Sequence, residues 1–288
     1  MLMRTLSTLT LWGLVFGTVY FFKETGGVWL LTLAAVLTQA EINSLLTRMN
    51  QRPLRIEGLL IGATIIPLTY YWQAISAEDL LAAAIVLTVS ASLFRTSGSR
   101  GAYLRRLPAT YFGILYAPFL IHFYPRILQT VEDAGRRLEN DAELGFGMFF
   151  VLWIVAVSKF SDMGALLVGR GIGRTKMAPS ISPGKTVEGL LGGIATATLV
   201  GAGLPFLFPQ YIPKEIAFDF DPQTACLLSI PIAVVAVIGD LIASVLKRLA
   251  GVKDSGGVIP GIGGMLDLFD SLILSAPVGY LLLRCFLL

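Results

Sequence analysis

Histidine, cysteine and charge are all scarce in this chain of 288 residues. Its single histidine, His122, lies toward the predicted outer end of an apolar segment, which excludes histidine-based catalysis at the inner face. Cys226 and Cys285 are isolated and match no metal-ligand spacing, so neither a disulfide framework nor a cysteine metal site is expected. Only 14% of the residues are charged and 55% are hydrophobic, which indicates an integral membrane protein rather than a soluble domain.

Long apolar segments recur along the whole chain. A spanning helix needs about 20 mostly apolar residues. The runs do not alternate at every second residue, which favours helices over a barrel. The sequence therefore predicts an all-α, polytopic membrane bundle of about nine helices, and the first is expected to be retained because no clear cleavage site follows it. The predicted spans are 6–22, 27–47, 56–73, 79–94, 109–124, 146–168, 187–208, 224–246 and 264–286.

Basic residues cluster in alternate loops between these segments. By the positive-inside rule this pattern predicts a cytoplasmic N-terminus and an external C-terminus. The intervening loops are acidic or mixed, and an odd number of helices fits the alternation. The basic groups are Arg48, Arg52 and Arg55; Arg95, Arg100, Arg105 and Arg106; Arg170, Arg174, Lys176 and Lys185; and Lys247, Arg248 and Lys253.

The composition changes near residue 140. Residues 1–140 carry few charges within their apolar segments and are predicted to form an N-terminal transmembrane scaffold. In residues 141–288 the inner loops combine glycine, lysine, arginine and aspartate, and the adjoining helix ends carry acids. We therefore expect a catalytic transmembrane region there, with a metal and phosphate site that faces the cytoplasm. No internal repeat supports a transporter built from inverted repeats.

Several acids lie within the apolar segments of this second region. Carboxylates at membrane depth cost about 2.5–3.5 kcal/mol each on insertion scales and are usually functional. Helix directions place acids from four helices at one depth near the inner leaflet. Because oxygen ligands of this kind suit Mg²⁺, we predict Asp240, Asp267 and Asp270 as metal ligands. Asp162 and Glu188 are predicted at the same depth.

Helical spacing supports a shared face for these groups. Asp267 and Asp270 are i, i+3 neighbours, and Asp240 begins a stripe that includes Ser244, Lys247 and Arg248. The alternative is that Asp240 pairs with Lys247 or Arg248 only to neutralise a buried charge.

Basic and glycine-rich loops next to the acids suit phosphate binding. Lys185 lies in Ser182-Pro-Gly-Lys-Thr-Val-Glu188, just before an apolar helix whose free N–H groups and dipole attract anions. No strand is expected before this helix and Pro179 takes the place of the first glycine, so a P-loop is not supported. Gly263 and Gly264 allow close backbone approach before the last helix. Lys247, Arg248 and Lys253 join Lys185 as predicted phosphate ligands, whereas Arg170, Arg174 and Lys176 are expected only to contact lipid headgroups.

From Ser244 to Asp270 the chain resembles the CDP-diacylglycerol synthase (phosphatidate cytidylyltransferase) family. The family's C-terminal signature reads S-x-apolar-K-R-x4-K-D-x-small-x2-apolar-P-x-H-G-G-x-x-D-R-x-D. A second block, from Asp162 to Gly193, is similar to the family's D-x-G-A…G-R…P-x-x-S-P-x-K-T-x-E-G-x-x-G-G. The matching residues of the signature are Ser244, Lys247, Arg248, Lys253, Asp254, Gly256, Ile259, Pro260, Gly263, Gly264, Asp267 and Asp270.

Two positions depart from the signature. Ile262 replaces the histidine before the glycine pair, and Leu268 replaces the arginine between the two aspartates. The first change removes a hydrogen-bond donor and the second removes a cation. We expect a changed rate or substrate preference rather than a changed reaction, because every predicted metal ligand is present.

The resemblance implies transfer of a cytidylyl group from CTP to phosphatidate, giving CDP-diacylglycerol and pyrophosphate, in phospholipid biosynthesis. It implies Mg²⁺ and a second cation such as K⁺, a homodimer, and a bacterial inner membrane with the site facing the cytoplasm. The implied catalytic residues are Asp240, Asp267, Asp270, Lys185 and Lys247. The implied substrate-binding residues are Asp162, Lys185, Glu188, Ser244, Lys247, Arg248, Lys253, Asp254, Gly263 and Gly264.

Two other functions stay open at this point. A CTP-dependent polyprenol or lipid kinase would release CDP rather than pyrophosphate. A cation-coupled transporter would use the buried acids as ion sites. A CDP-alcohol phosphotransferase is disfavoured because its D-G-x-x-A-R core is absent, and loops without interleaved aromatics offer no case for nucleic acid as a partner.

Overall fold

The computed structural model describes residues 2–94, 100–138, 146–212, 220–259, 261 and 263–286. Helices make up most of these residues, which confirms the predicted all-α membrane bundle. A π-helix, Leu115–Phe119, and a short 3₁₀ turn, Pro209–Tyr211, interrupt the α-helical pattern. The α-helices are α1 Leu2–Arg48, α2 Arg55–Tyr71, α3 Ala77–Phe94, α4 Arg100–Ile114, α5 Phe123–Leu138, α6 Phe146–Ile172, α7 Val187–Leu207, α8 Pro222–Leu249 and α9 Met265–Phe286.

Five stretches within these helices are long and apolar enough to cross a membrane, so the chain is a multi-pass membrane protein. The number of nine spans stays a prediction. The predicted spans 6–22 and 27–47 both fall within α1, which bends at Lys23, where φ is 51°. The five stretches are Tyr20–Arg48, Gly147–Ile172, Val187–Leu207, Pro222–Leu249 and Met265–Phe286.

The chain forms two compact units. Unit 1 comprises Met1–His122 together with Leu246–Phe269, and unit 2 comprises Phe123–Val245 together with Asp270–Leu288. Each unit therefore takes residues from both sides of residue 140. The functional division into a scaffold, 1–140, and a catalytic region, 141–288, stays a prediction.

Close contacts in unit 1 fix the second half of α1. Gln39 is fully buried, and its Nε2 donates to the carbonyl oxygen of Gly58 in α2 at 2.8 Å. The backbone N–H of Leu54 donates to Thr110 Oγ1 at 2.8 Å, which ties the start of α2 to α4. Gln39 thus holds α1 against α2, and Thr110 holds the start of α2 against α4.

Small residues let α6 and α7 of unit 2 approach each other closely. Gly189, Gly193 and Gly201 recur along one buried face of α7. A Cβ added at Gly193 would lie only 2.7 Å from the carbonyl oxygen of Ser161 in α6. Trp153 Nε1 donates to the Gly201 carbonyl oxygen at 2.8 Å. Such small-residue faces are typical of helix packing in membranes, where backbones approach closely.

A two-stranded hairpin joins α6 to α7. Strand β1 is Lys176–Ala178 and strand β2 is Ser182–Thr186, and they pair antiparallel. The expectation that no strand precedes α7 is therefore wrong, because strands this short show no clear alternating pattern in the sequence. Thr186 ends β2 and caps α7, since its Oγ1 accepts the Gly189 N–H at 3.1 Å. Lys185 is thus held two residues before the start of the helix and immediately before its cap.

Candidate active site

Three carboxylates from three helices meet in unit 2. Asp162 of α6, Asp240 of α8 and Asp270 of α9 lie within electrostatic range of one another, and we call them the acid cluster. Asp270 is only 9% exposed, and its Oδ1 accepts the Ser271 N–H at 2.7 Å. Ser244 lies one turn beyond Asp240 in α8, and its hydroxyl donates to Asp240 Oδ1 at 3.4 Å.

Two lysines contact the acid cluster. Lys185 Nζ lies 2.8 Å from Asp240 Oδ2 and donates to the Val237 carbonyl oxygen at 3.4 Å. Lys159 Nζ lies 3.9 Å from Asp162 Oδ2 and donates to Ser271 Oγ at 3.0 Å. With all groups ionised, two ammonium groups face three carboxylates, and the cluster keeps an excess of negative charge.

A cavity of about 390 Å³ opens beside this cluster within unit 2. Its wall contains apolar side chains of α6, α7 and α8, including Leu166, Leu190 and Val237. Arg170, which was expected only to contact headgroups, also lies on this wall. Carboxylates, cations and hydroxyls on one wall suit a phosphate-bearing ligand. The polar residues of the wall are Asp162, Arg170, Ser182, Lys185, Thr186 and Asp240.

The donor chemistry of the acid cluster fits Mg²⁺. All of its carboxylate groups offer oxygen, and Mg²⁺ commonly takes one or two carboxylates together with substrate phosphates. In the part of the chain that the structure describes, no three His, Cys, Asp or Glu side chains lie close enough together to hold a metal ion by themselves. Lysines contact Asp240 and Asp162 instead. Substrate phosphates would have to complete the ligand set.

Asp267 lies in unit 1, where it contacts the signature loop, of which the structure describes residues 250–259, 261, 263 and 264. Its Oδ1 lies 2.6 Å from Lys247 Nζ. Its Oδ2 accepts the backbone N–H groups of Ser255 and Gly264, both at 3.0 Å. Oδ2 therefore binds the loop to the first turn of α9, and Oδ1 binds the end of α8 to the same turn. The role of Asp267 as a metal ligand stays a prediction.

Glu41 of α1 also contacts this loop through Ser255 and was not predicted from the sequence. The residue is only 7% exposed, and its carboxylate accepts the N–H groups of Met265 at 2.8 Å and Leu266 at 2.9 Å. It was passed over because residues 1–140 were assigned to a scaffold. An acid within the apolar stretch 27–47 is the signal that should have drawn attention to it. Lys159, within the span 146–168, was missed in the same way.

Other predicted site residues contact neither the acid cluster nor the carboxylates of Asp267 and Glu41. Glu188 accepts the N–H groups of Arg174 and Thr175 at 3.1 Å and so holds the entry to the hairpin. Arg248 Nη1 donates to the Val252 carbonyl oxygen at 3.5 Å. Lys253 and Asp254 are exposed on the signature loop, Gly263 has a φ of 129°, and Ile262 lies outside the described residues.

Comparison of the sequence with known proteins shows the family of this chain. A family profile described as the Cytidylyltransferase family matches residues 2–286. The chain belongs to this family. The resemblance seen in its two motifs is thereby confirmed.

Relatives within the family match shorter stretches. A phosphatidate cytidylyltransferase of Haemophilus influenzae is 39% identical over 131 residues, which cover 46% of this chain and 44% of the relative. A phosphatidate cytidylyltransferase of Chlamydia pneumoniae is 33% identical over 201 residues, covering 69% of this chain and 61% of the relative. A protein of Escherichia coli described as uncharacterized protein YnbB is 38% identical over 139 residues, which cover 48% of this chain and 43% of the relative. The chain thus matches less than two thirds of the length of these relatives.

Proposed function

We propose that this chain transfers a cytidylyl group from CTP to phosphatidate, giving CDP-diacylglycerol and pyrophosphate. The observation that carries this proposal is the acid cluster with Lys185 and Arg170 beside a cavity of about 390 Å³. Membership of the Cytidylyltransferase family and relatives described as phosphatidate cytidylyltransferases also support it.

The proposed reaction is a substitution at the α-phosphorus of CTP. An oxygen of the phosphatidate phosphate forms a bond to that phosphorus, and the bond from the phosphorus to the oxygen that leads to the β-phosphate breaks. The attacking phosphate is already anionic near neutral pH, so no strong general base is needed. The rate then depends on positioning and on neutralisation of phosphate charge. This mechanism needs no histidine as a base, which is consistent with His122 being the one histidine of the chain.

Residues around the cavity take distinct roles in this proposal. Lys185 and Arg170 bind phosphate oxygens. Asp240 and Asp270, with Asp162 beside them, hold Mg²⁺. When bound, Mg²⁺ neutralises phosphate charge and orients the phosphate oxygens for in-line attack. A second cation such as K⁺ and an additional contribution of Asp267 stay predictions.

We further propose that the site faces the cytoplasm of a bacterial inner membrane. Basic residues at the carboxyl ends of two apolar helices support this, namely Arg170 in α6 with Lys247 and Arg248 in α8. Phosphatidate would enter from the inner leaflet and keep its acyl chains in lipid. The homodimer implied by the family resemblance stays a prediction.

Labelled CTP distinguishes the proposed reaction from a kinase reaction. Purified full-length protein is incubated with phosphatidate, Mg²⁺ and CTP labelled at either the α- or the γ-phosphate. We expect α-label in the lipid and γ-label in pyrophosphate. In a parallel incubation with a polyprenol in place of phosphatidate, a lipid kinase would transfer the γ-label to the polyprenol hydroxyl and release CDP. Cation counterflow in liposomes without CTP would instead support a transporter.

A pair of aspartate variants tests the role of the acid cluster. Asp270→Asn should abolish turnover, because the cluster loses a buried carboxylate that holds Mg²⁺, while the helices stay folded by circular dichroism. Asp221→Asn is the matched control: Asp221 Oδ1 accepts the Thr224 N–H at 2.8 Å before α8, a bond that lowers the pKa of this carboxyl. Asparagine caps helices about as well, so this variant should keep its activity. Mg²⁺-dependent turnover by Asp270→Asn would refute the assignment.

A further inference from the structure

The carboxylate of Glu41 caps the first turn of α9. The first N–H groups of a helix lack partners within the helix, and the positive end of the helix dipole attracts an anion. Glu41 Oε1 accepts the Met265 N–H at 2.8 Å, and Oε2 accepts the Leu266 N–H at 2.9 Å. Oε2 also accepts the Ser255 hydroxyl at 2.6 Å. One buried side chain thus holds both the start of the helix and the middle of the signature loop.

Two glycines of the signature loop lie directly against this carboxylate. A Cβ added at Gly256 would lie 2.7 Å from Glu41 Oε1. A Cβ added at Gly264 would overlap both Glu41 Oε2 and Ser255 Oγ. Gly264 was expected to let the backbone approach a ligand closely. In the structure, both glycines make room for a residue of α1.

Ser255 links Glu41 to Asp267. Its hydroxyl lies 2.6 Å from Glu41 Oε2 and 3.0 Å from Asp267 Oδ2, but it has one proton to donate. The shorter distance favours donation to Glu41. Asp267 keeps the backbone N–H groups of Ser255 and Gly264 and its contact with Lys247. The contacts of Glu41 therefore do not depend on Asp267.

We propose that Glu41 is a positioning residue that fixes the signature loop and the first turn of α9, so that Lys247 and Asp267 can exchange partners without loss of the loop's shape. The anchoring follows from contacts within unit 1. The exchange of partners rests on the proposed function, since substrate phosphate or a cation would be the new partner of Lys247 or Asp267.

Hydrogen–deuterium exchange on the full-length protein without substrate tests the anchoring. In Glu41→Gln, the side-chain amide presents a donor to at least one backbone N–H that had an acceptor. We expect the Met265 and Leu266 amides to exchange about tenfold faster, with helices elsewhere unchanged. In Asp267→Ala, which removes the acceptor, the same two amides should keep their wild-type exchange, while those of Ser255 and Gly264 exchange faster.

Steady-state kinetics give a second measurement, and Glu24 provides the control. Glu41→Gln should raise the KM for CTP about tenfold and lower kcat less, because a mobile loop weakens binding before it changes the chemistry. Glu24 lies on the same helix, and its carboxylate accepts the Tyr70 hydroxyl at 2.9 Å. Glu24→Gln removes the same charge from α1 away from the loop, and it should change neither KM nor exchange at Met265 and Leu266.

Each outcome of these measurements decides a separate question. Wild-type exchange at Met265 and Leu266 in Glu41→Gln overturns the proposal. If that variant does not fold, Ser255→Ala removes one of the three bonds to Glu41 and should speed loop exchange about threefold; unchanged exchange overturns the proposal here too. A wild-type protein that transfers no cytidylyl group would overturn the proposed function and leave the exchange result intact.

Discussion

Lys159 lies within a membrane-spanning stretch of α6, where a lysine is costly unless it has partners. Its ammonium group contacts Asp162 and donates to Ser271 Oγ at 3.0 Å. Together with Lys185 it offsets part of the charge of three carboxylates. These two lysines therefore set how much positive charge the acid cluster needs from a bound cation.

Replacing Lys159 should make the acid cluster more dependent on Mg²⁺. In Lys159→Met the cluster loses one positive charge, and we expect a loss of stability of about 1–2 kcal/mol without Mg²⁺, less than for a fully buried pair because both side chains are partly exposed. Mg²⁺ should then raise the Tm more in the variant than in the wild type, as measured by thermal unfolding in detergent with EDTA or Mg²⁺.

Lys159→Arg is the control for this prediction because it keeps the charge at the same position. It should show the Mg²⁺-dependent change in Tm of the wild type. Equal stabilisation of Lys159→Met and wild type by Mg²⁺ would show that the lysine does not affect cation binding.

At the scale of elements, the glycine face of α7 sets the distance between two parts of the site. Helix α6 carries Asp162, and Lys185 in β2 immediately precedes the cap of α7. Packing of α6 against α7 through Gly189 and Gly193 therefore places Asp162 and Lys185 on the wall of one cavity.

A larger side chain on this face should separate the two helices. In Gly193→Val the new Cβ would meet the backbone oxygen of Ser161 at 2.7 Å, and backbone cannot move aside as a flexible side chain can. We expect destabilisation of about 1–3 kcal/mol and reduced turnover, measured by thermal unfolding and by the cytidylyl-transfer assay.

Gly203 provides a matched control on the same helix, since an added Cβ there meets nothing within 4 Å. Gly203→Val should unfold close to the wild-type temperature and keep its activity. Equal destabilisation by both substitutions would point to helix propensity rather than to packing against α6.

The sequence predicts the long apolar helices well and the short or amphipathic elements poorly. A membrane helix shows itself through about 20 apolar residues, whatever its neighbours are. Most of α5 lies between the predicted spans 109–124 and 146–168 and was expected to be a loop because it carries many charged residues. Its buried residues, Ile127, Leu128 and Val131, recur with a helical period, which is the pattern of an amphipathic helix. The hairpin was missed because strands of three and five residues are too short to show a pattern.

At the scale of the whole molecule, the sequence predicts one part of the site, the acid cluster, and does not predict another, the contacts of Glu41. Asp162, Asp240 and Asp270 were expected together because each lies in an apolar helix near its charged end, and the structure brings them within electrostatic range. The contact between Glu41 and Ser255 joins residues 214 positions apart. Spacing within a helix carries no information on such a pair, which depends on how distant helices pack.

Orientation in the membrane is the property of the whole molecule on which the proposed cytoplasmic site depends. The distribution of arginine and lysine predicts that the β1–β2 hairpin faces the cytoplasm and that the start of α8 faces outward. Ser180 in the hairpin turn and Gln223 at the start of α8 are both exposed. A cysteine at either position should therefore be accessible to a reagent on its own side of the membrane.

Single cysteines at these two positions test the orientation. Cys226 and Cys285 are first replaced by alanine, and Ser180→Cys or Gln223→Cys is then introduced. In intact spheroplasts a membrane-impermeant maleimide should label Gln223→Cys and leave Ser180→Cys unlabelled until the membrane is permeabilised. Labelling of Ser180→Cys before permeabilisation would place the hairpin, and with it Lys185, on the outer side. A site there would be separated from cytoplasmic CTP, and the proposed function would have to be abandoned.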